Sequence, residues 1–176
     1  MTDELVANAS VAEVTESAIA TMIARGLITP TKQTTRKKVN WERLLAYEYV
    51  EKFYQGIPHW FRLEVGPMPN GSTDLIYSKT RRWADCVIHL PDHTLVIEFK
   101  MKAEPAVVSQ LIHYGQLVPQ TPMLVKYKDL PVKIKVVAAM VDDVTHAFIE
   151  SQGIDVEIYK PTNFEQWYKQ VILREK

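Results

Sequence analysis

"HTLVIEFKMK", residues 93–102, is the stretch that decides the fold. An apolar run, Leu95-Val96-Ile97, ends abruptly in Glu98-Phe99-Lys100. Side chains of a strand alternate between its faces, so Leu95, Ile97 and Phe99 share one face and Val96, Glu98 and Lys100 the other. A strand suited to a core therefore carries a carboxylate and an ammonium side by side. The bland explanation is an exposed ion pair on a strand running out into water, which contributes little to stability. The other explanation is that the pair has chemistry to do, and the neighbouring segments bear on the choice.

Just upstream, "RWADCVIHL" (82–90) reads as a second strand, and "PDH" turns it into the first, making a hairpin. By alternation Asp85, Val87 and His89 share one face, with Cys86, Ile88 and Leu90 on the opposite one. Hairpin pairing then brings Asp85 beside Glu98 and Lys100. Downstream, "PAVVSQLIHYGQLV" (105–118) changes to a helical period, with Pro105 in the first turn. Gln110 and Tyr114 are four apart and share a helical face. A helix after a strand packs back across the sheet, so that face borders the charged pair. Two carboxylates and a lysine are the residue types that metal-assisted phosphodiester hydrolysis needs. Mg²⁺ takes oxygen ligands, usually one or two carboxylates plus water and substrate phosphate. It lowers the pKa of a bound water, and a lysine orients that water or offsets charge developing in the transition state.

The remaining segments frame this hairpin. Asn40 caps a helix over 41–55, closed by Gly56 and Pro58, with Trp41, Leu44, Leu45, Tyr49 and Phe53 expected inside. "HWFRLEV" (59–65) and "DLIY" (74–77) read as strands around the turn-rich 66–72. "VKIKVVAAMV" (132–141) is a buried strand, "DDVTHAFIESQG" (142–153) a short helix in which Asp142 and Asp143 supply N-terminal charge, "IDVEIY" (154–159) a last strand and "TNFEQWYKQVILREK" (162–176) a last helix. Strand–helix–strand units near the C-terminus favour a mixed sheet with helices on both faces. Residues 3–25 have helical spacing. The expected organisation is an N-terminal helical extension (1–30), a basic linker (31–39) and one α/β domain (40–176).

Composition narrows the function classes. The 176 residues are 47% apolar, enough for one domain with a core. No apolar run approaches the ~20 residues of a membrane helix, and the acidic N-terminus lacks the pattern of a signal peptide, so the expected compartment is the cytoplasm. The single Cys86 excludes an internal disulfide and any multi-cysteine zinc or iron–sulfur site, and reads as a core thiol. His89 and His93 straddle a turn with no third ligand in view and read as loop histidines. Lys and Arg number 21, as do Asp and Glu, so net charge favours no polyanion. The basic residues are nonetheless clustered: Lys32, Arg36, Lys37 and Lys38 in one group, Arg81 and Arg82 in another, with Trp83 beside them as a candidate for base stacking.

Taken together, Asp85, then Glu98-Phe99-Lys100, then Gln110-xxx-Tyr114 resemble the PD-(D/E)XK nuclease superfamily and its RecB-like branch. The run from Val96 to Tyr159 is similar to the nuclease domain of NucS-type endonucleases, and "NWERLL" (40–45) is similar to the first helix of archaeal Holliday-junction resolvases. The likeness spans roughly residues 40–160. It implies a restriction-endonuclease-like core and a Mg²⁺- or Mn²⁺-dependent deoxyribonuclease acting in DNA repair, recombination or mobile-element processing. It further implies that Asp85 and Glu98 bind metal, with Glu42 as a third carboxylate and Glu48 or Glu51 as alternatives in the same helix. Lys100 would assist the attacking water, and Gln110 and Tyr114 would shape the site. DNA would be held by Lys32, Arg36, Lys37, Lys38, Arg81, Arg82 and Trp83, and a homodimer is compatible with the superfamily. Ala84 stands where the motif has proline, and the iron–sulfur cysteines of some RecB-like members are absent. Two other expectations stand beside this one: a nuclease fold without catalysis that binds nucleic acid or an assembly, and a protein whose charged strand end is only surface.

Overall fold

The computed structural model describes residues 39–67 and 82–174. Contacts divide the chain between Val39 and Asn40, and the description concerns the unit from Asn40 onward. The N-terminal helix, the basic linker and the strand expected at 74–77 lie outside the described residues.

Helix α1 (Trp41–Phe53) starts where expected. Asn40 has extended backbone, and its Oδ1 accepts from the Arg43 amide at 3.0 Å, satisfying one of the first-turn donors. Its buried stripe is Leu45, Ala46, Tyr49 and Val50, whereas Leu44 and Phe53 are exposed. Apolar residues occur all round this helix, so periodicity alone could not choose the stripe. Phe53 instead lays its ring against Tyr49 and Tyr159, with centroids 4.8 and 5.7 Å away.

The strands β1 (His59–Val65), β2 (Arg82–His89), β3 (Thr94–Lys102), β4 (Val132–Met140) and β5 (Asp155–Ile158) form one sheet in sequence order. The pairings β1–β2 and β2–β3 are antiparallel; β3–β4 and β4–β5 are parallel. The two parallel connections carry α2 (Val107–Leu117) and α3 (Asp143–Ser151). Pro105 sits two residues ahead of α2. Asp142 caps α3 by accepting from the Thr145 amide at 2.9 Å. The last helix is shorter than expected: α4 covers Phe164–Trp167 and then loosens into a π-type turn over Tyr168–Ile172. Among the described residues no helix is long and apolar enough to cross a membrane.

The result is the expected mixed sheet flanked by helices, with a core on each face. Val87, Val96 and Val136 pack under Val108 and Leu111 of α2 and Ile149 of α3. Cys86, Ile97, Phe99 and Val137 pack under Leu45 and Tyr49 of α1 and Trp167 of α4. Glu98 is the large charged side chain within these layers, 1% exposed.

Two interruptions in the sheet position the site. The β2–β3 ladder runs from His89↔Thr94 to Cys86↔Ile97 and stops, whereas the β3–β4 ladder continues to Lys102↔Met140. Beyond Ile97 the β2-facing edge of β3 is therefore open. The second interruption is a slip in alternation. Phe61 and Cys86 pack on the α1 side, yet their neighbours two residues on, Leu63 and Ala84, pack on the α2 side. The slip falls on Arg62 and Asp85, which face each other in register between the pairs Phe61↔Cys86 and Leu63↔Ala84. Arg62 has φ 50°, an uncommon conformation for a residue with a Cβ. Strict alternation had placed Asp85 on the face of Val87; the slip instead turns its carboxylate toward the edge of β3.

Candidate active site

Where β2 leaves β3, the amides of Phe99 and Met101 remain on the same edge of the strand, since residues two apart point their N–H groups to the same side. Carboxylates take both. Asp85 Oδ2 accepts from the Phe99 amide at 3.0 Å, and Glu42, in the first turn of α1, accepts from the Met101 amide. Glu98 and Lys100 alternate with these two amides along β3. Lys100 Nζ donates to Glu98 Oε1 at 2.8 Å, and the lysine side chain keeps a quarter of its surface exposed. Glu98 Oε2 is buried with no hydrogen-bond partner.

The electrostatics follow from this crowding. Burial, then the neighbouring Asp85 charge, pushes the Glu98 carboxyl up to about 7, against the pull of Lys100. Burial likewise raises Asp85, opposed by the Phe99 amide, by Lys100 and by a hydrogen bond with Glu98. Glu42 is raised mainly by burial, against Lys100. For Lys100, burial works to lower the pKa, but Glu98 outweighs it and the net shift is upward. Tyr114 is raised chiefly by burial and feels the charges of Glu98, Asp85 and Lys100; its hydroxyl accepts from Gln110 Nε2 at 2.8 Å. The structure thus gathers Glu42, Asp85, Glu98, Lys100, Gln110 and Tyr114 into one place, as the spacing on strand and helix predicts.

The other glutamates of α1 are engaged elsewhere. Glu48 accepts from the Tyr159 hydroxyl at 2.9 Å and the Thr162 amide at 3.0 Å, and Glu51 from Gln55 at 3.0 Å. Arg82 lines a cleft with Ser109, Gln110, His113 and Tyr114. Trp83 lies on the other side of the cluster, where the Arg62 guanidinium stands 5.7 Å from its ring centroid. Lys32, Arg36, Lys37, Lys38 and Arg81 lie outside the described residues. His89 stacks on Tyr127 at 3.5 Å, and His93 bonds Asp92 at 2.8 Å, so both histidines have local structural partners. Cys86 is a buried free thiol, pushed up to about 12 by burial and by Asp85.

No protein-family model matches this sequence, and no curated protein does. Two solved structures are similar to it. A repair endonuclease from Pyrococcus abyssi is 17% identical, with 77% of this chain and 50% of that one covered and a TM-score of 0.43. EndoMS in complex with dsDNA is 16% identical, with 73% of this chain and 49% of that one covered and a TM-score of 0.40. The chain spans about half the length of these two proteins.

Among the described residues, no group of three or more His, Cys, Asp or Glu side chains is arranged to hold a metal ion. The expected trio of Asp85, Glu98 and Glu42 is therefore not drawn around one point, because the Glu42 carboxylate is turned to the Met101 amide. What remains is a pair. With Asp85 and Glu98 both ionised, neither can donate to the other, and Glu98 Oε2 stays unsatisfied. A shared proton or a cation between them satisfies it. Two carboxylates with an unpartnered oxygen fit a Mg²⁺-like ion, whose other positions belong to water and phosphate.

Sequence reasoning missed Arg43, Tyr47, Phe61 and Arg62, which stand beside Trp83 and Asp85 around a second cleft. Arg43 and Tyr47 are four apart on α1, the one signal that linked any of them. Nothing in "HWFRLEV" marks Arg62 as the kink.

Proposed function

We propose that the protein is a metal-dependent nuclease that hydrolyses phosphodiester bonds in DNA, in repair, recombination or mobile-element processing. The observation that carries this reading is the buried Asp85–Glu98 pair, with Glu98 Oε2 unpartnered and Lys100 Nζ 2.8 Å from Oε1, at an open strand edge. Nothing about a structural ion pair calls for a second buried carboxylate, and burying that charge works against stability. Asp85 and Glu98 would hold Mg²⁺ or Mn²⁺, with Glu42 beside them. When bound, such an ion lowers the pKa of a water and offsets charge on the scissile phosphate. Lys100 orients that water and stabilises the charge that develops on the phosphate. Gln110 and Tyr114 border the phosphate, and Arg82 beside them pairs with the backbone. Lys32, Arg36, Lys37, Lys38 and Arg81 would extend the backbone contacts.

A panel of linear, nicked, branched and single-stranded DNA, incubated with Mg²⁺, Mn²⁺ or EDTA, tests the reading. Cleavage is expected in the metals and not in EDTA, and Glu98→Ala and Lys100→Ala abolish it. Undiminished cleavage by Lys100→Ala sinks the mechanism. One observation favours a second reading, a nuclease fold that binds nucleic acid without cutting it: Asp85 and Glu42 satisfy strand amides, a task that survives loss of catalysis. That reading predicts DNA binding with no cleavage in either metal.

A further inference from the structure

A cleft of about 250 Å³ opens on the α1 side of the carboxylates. Arg43 and Tyr47 of α1, Phe61 and Arg62 of β1 and Trp83 of β2 surround it, and Asp85 belongs to both its wall and the carboxylate cluster. Its lining is aromatic. Tyr47 meets Phe61 edge-on, with centroids 4.4 Å apart and planes at 67°. Tyr47 and Trp83 nevertheless remain 40% and 45% exposed. Two guanidinium groups lie over these rings: Arg43 is 5.2 Å from the Tyr47 centroid and also donates to its hydroxyl at 3.0 and 3.2 Å, and Arg62 is 5.7 Å from that of Trp83. The Arg62 charge also acts on Asp85.

An i,i+4 Arg–Tyr pair on a helix needs no ligand to explain it. The rest of the arrangement is harder to assign to packing. Trp83 and Tyr47 come from different elements and leave ring surface in water. Arg62, in the left-handed region, is held there at a conformational cost of about 1–3 kcal/mol, a feature that clusters at functional sites. The volume falls below the ~300–1,000 Å³ of drug-sized ligand sites, which suits one planar group.

We propose that this cleft takes the unstacked base of a nucleotide adjoining the phosphodiester at Asp85 and Glu98, with Trp83 and Tyr47 as stacking surfaces and Arg43 and Arg62 as partners for the flanking phosphates. The inference rests on the nuclease reading for the identity of the substrate, and it narrows that substrate to DNA with an unpaired or extruded nucleotide beside the cut. Arg82 with Gln110 and Tyr114 lies on the other flank. The strand therefore passes from the Trp83 cleft across the carboxylates to the Gln110–Tyr114 face.

The test uses the full chain and single-stranded oligodeoxynucleotides carrying one 2-aminopurine, or one abasic residue, at each position in turn. Affinity is read by fluorescence or anisotropy in EDTA and in Ca²⁺, with the cleavage panel run alongside. Base–aromatic stacking of about 1–3 kcal/mol corresponds to roughly 5- to 150-fold in affinity. At one position, wild type is expected to bind the base-bearing strand more tightly than the abasic one by a factor in that range, with quenching of the 2-aminopurine. Trp83→Ala and Tyr47→Ala each shrink that difference, Trp83→Phe restores most of it, and abasic DNA binds wild type and Trp83→Ala alike. The proposal is overturned if no position shows base dependence, if Trp83→Ala weakens binding of abasic DNA as much as of intact DNA, or if the protein binds no oligonucleotide. Metal-dependent cleavage without base dependence would leave the nuclease reading standing and remove the cleft. Base dependence without cleavage in any metal would do the reverse.

Discussion

Glu98 is where burial, charge and catalysis meet. Its folded-state pKa, raised to about 7, lies above the ordinary carboxylate value, so the folded protein binds more protons than the unfolded chain in the window between. The contribution to stability is therefore fully present below the unfolded pKa and is lost as pH rises through about 7. In EDTA the melting temperature should fall between pH 5 and pH 8, and Glu98→Gln should flatten that fall; a slope unchanged in the variant would contradict the assignment. Adding Mg²⁺ at pH 8 should raise the melting temperature of wild type and not of Glu98→Gln. An ion that binds only the folded state stabilises by mass action, and each 1 kcal/mol moves the midpoint by roughly 2–4 °C in a protein of this size. Lys100→Met removes the partner at 2.8 Å and should shift the slope to higher pH.

At the scale of elements, α2 and α1 set the precision of the site. Gly115 of α2 lies against β4, where an added Cβ would meet Ile134 Cγ2 at 3.2 Å. Gly115→Ala gains up to about 1 kcal/mol of helix propensity and loses about 1–3 kcal/mol to overpacking. The two largely cancel in stability, but the helix carrying Gln110 and Tyr114 must give by a few tenths of an ångström. Cleavage should drop more than the melting temperature does. Asn40→Ala should cost about 1 kcal/mol through the lost cap, and cleavage should fall further, because the first turn of α1 carries Glu42.

Much of this scaffold was legible in the chain. The β-branched runs 94–97 and 134–139, bounded by Pro and Asp, admit few other readings, and period 2 was enough to put Glu98 beside Lys100. Four-residue spacing was enough to pair Gln110 with Tyr114. The missing parts are those that local pattern does not encode. The stripe of α1 was ambiguous because apolar residues surround the helix. The kink at Arg62 carries no glycine to announce it. The hold of Asp85 on the Phe99 amide depends on where a ladder stops, which is a property of three strands at once. The engagement of Glu48 by Tyr159 and Thr162 depends on a segment more than a hundred residues away.

For the molecule as a whole, the site is clamped between two faces of one sheet, and long-range polar contacts hold the α1 face down. The Tyr49 hydroxyl donates to Glu157 Oε2 at 2.6 Å, and Lys135 Nζ donates to the same oxygen at 3.1 Å. This ties α1 to β4 and β5. Tyr49→Phe leaves Glu157 with one partner fewer and should destabilise by about 1–3 kcal/mol, read as a lower denaturant midpoint with little change in slope. If the basic groups act together on a DNA backbone, log affinity should fall linearly with log salt, and Arg82→Ala should reduce that slope by about one contact.

The open edge of β3 also makes the protein its own indicator. Two main-chain amides, Phe99 and Met101, are bonded to carboxylates instead of to a neighbouring strand. An amide's ¹H–¹⁵N resonance moves when the acceptor of its hydrogen bond gains a proton or a cation. The Phe99 signal therefore follows Asp85 and the Met101 signal follows Glu42, two titrations that overlap in any bulk measurement of coupled acids. Labelling the backbone alone, with no substitution, separates the two carboxylates and records ion loading at each of them.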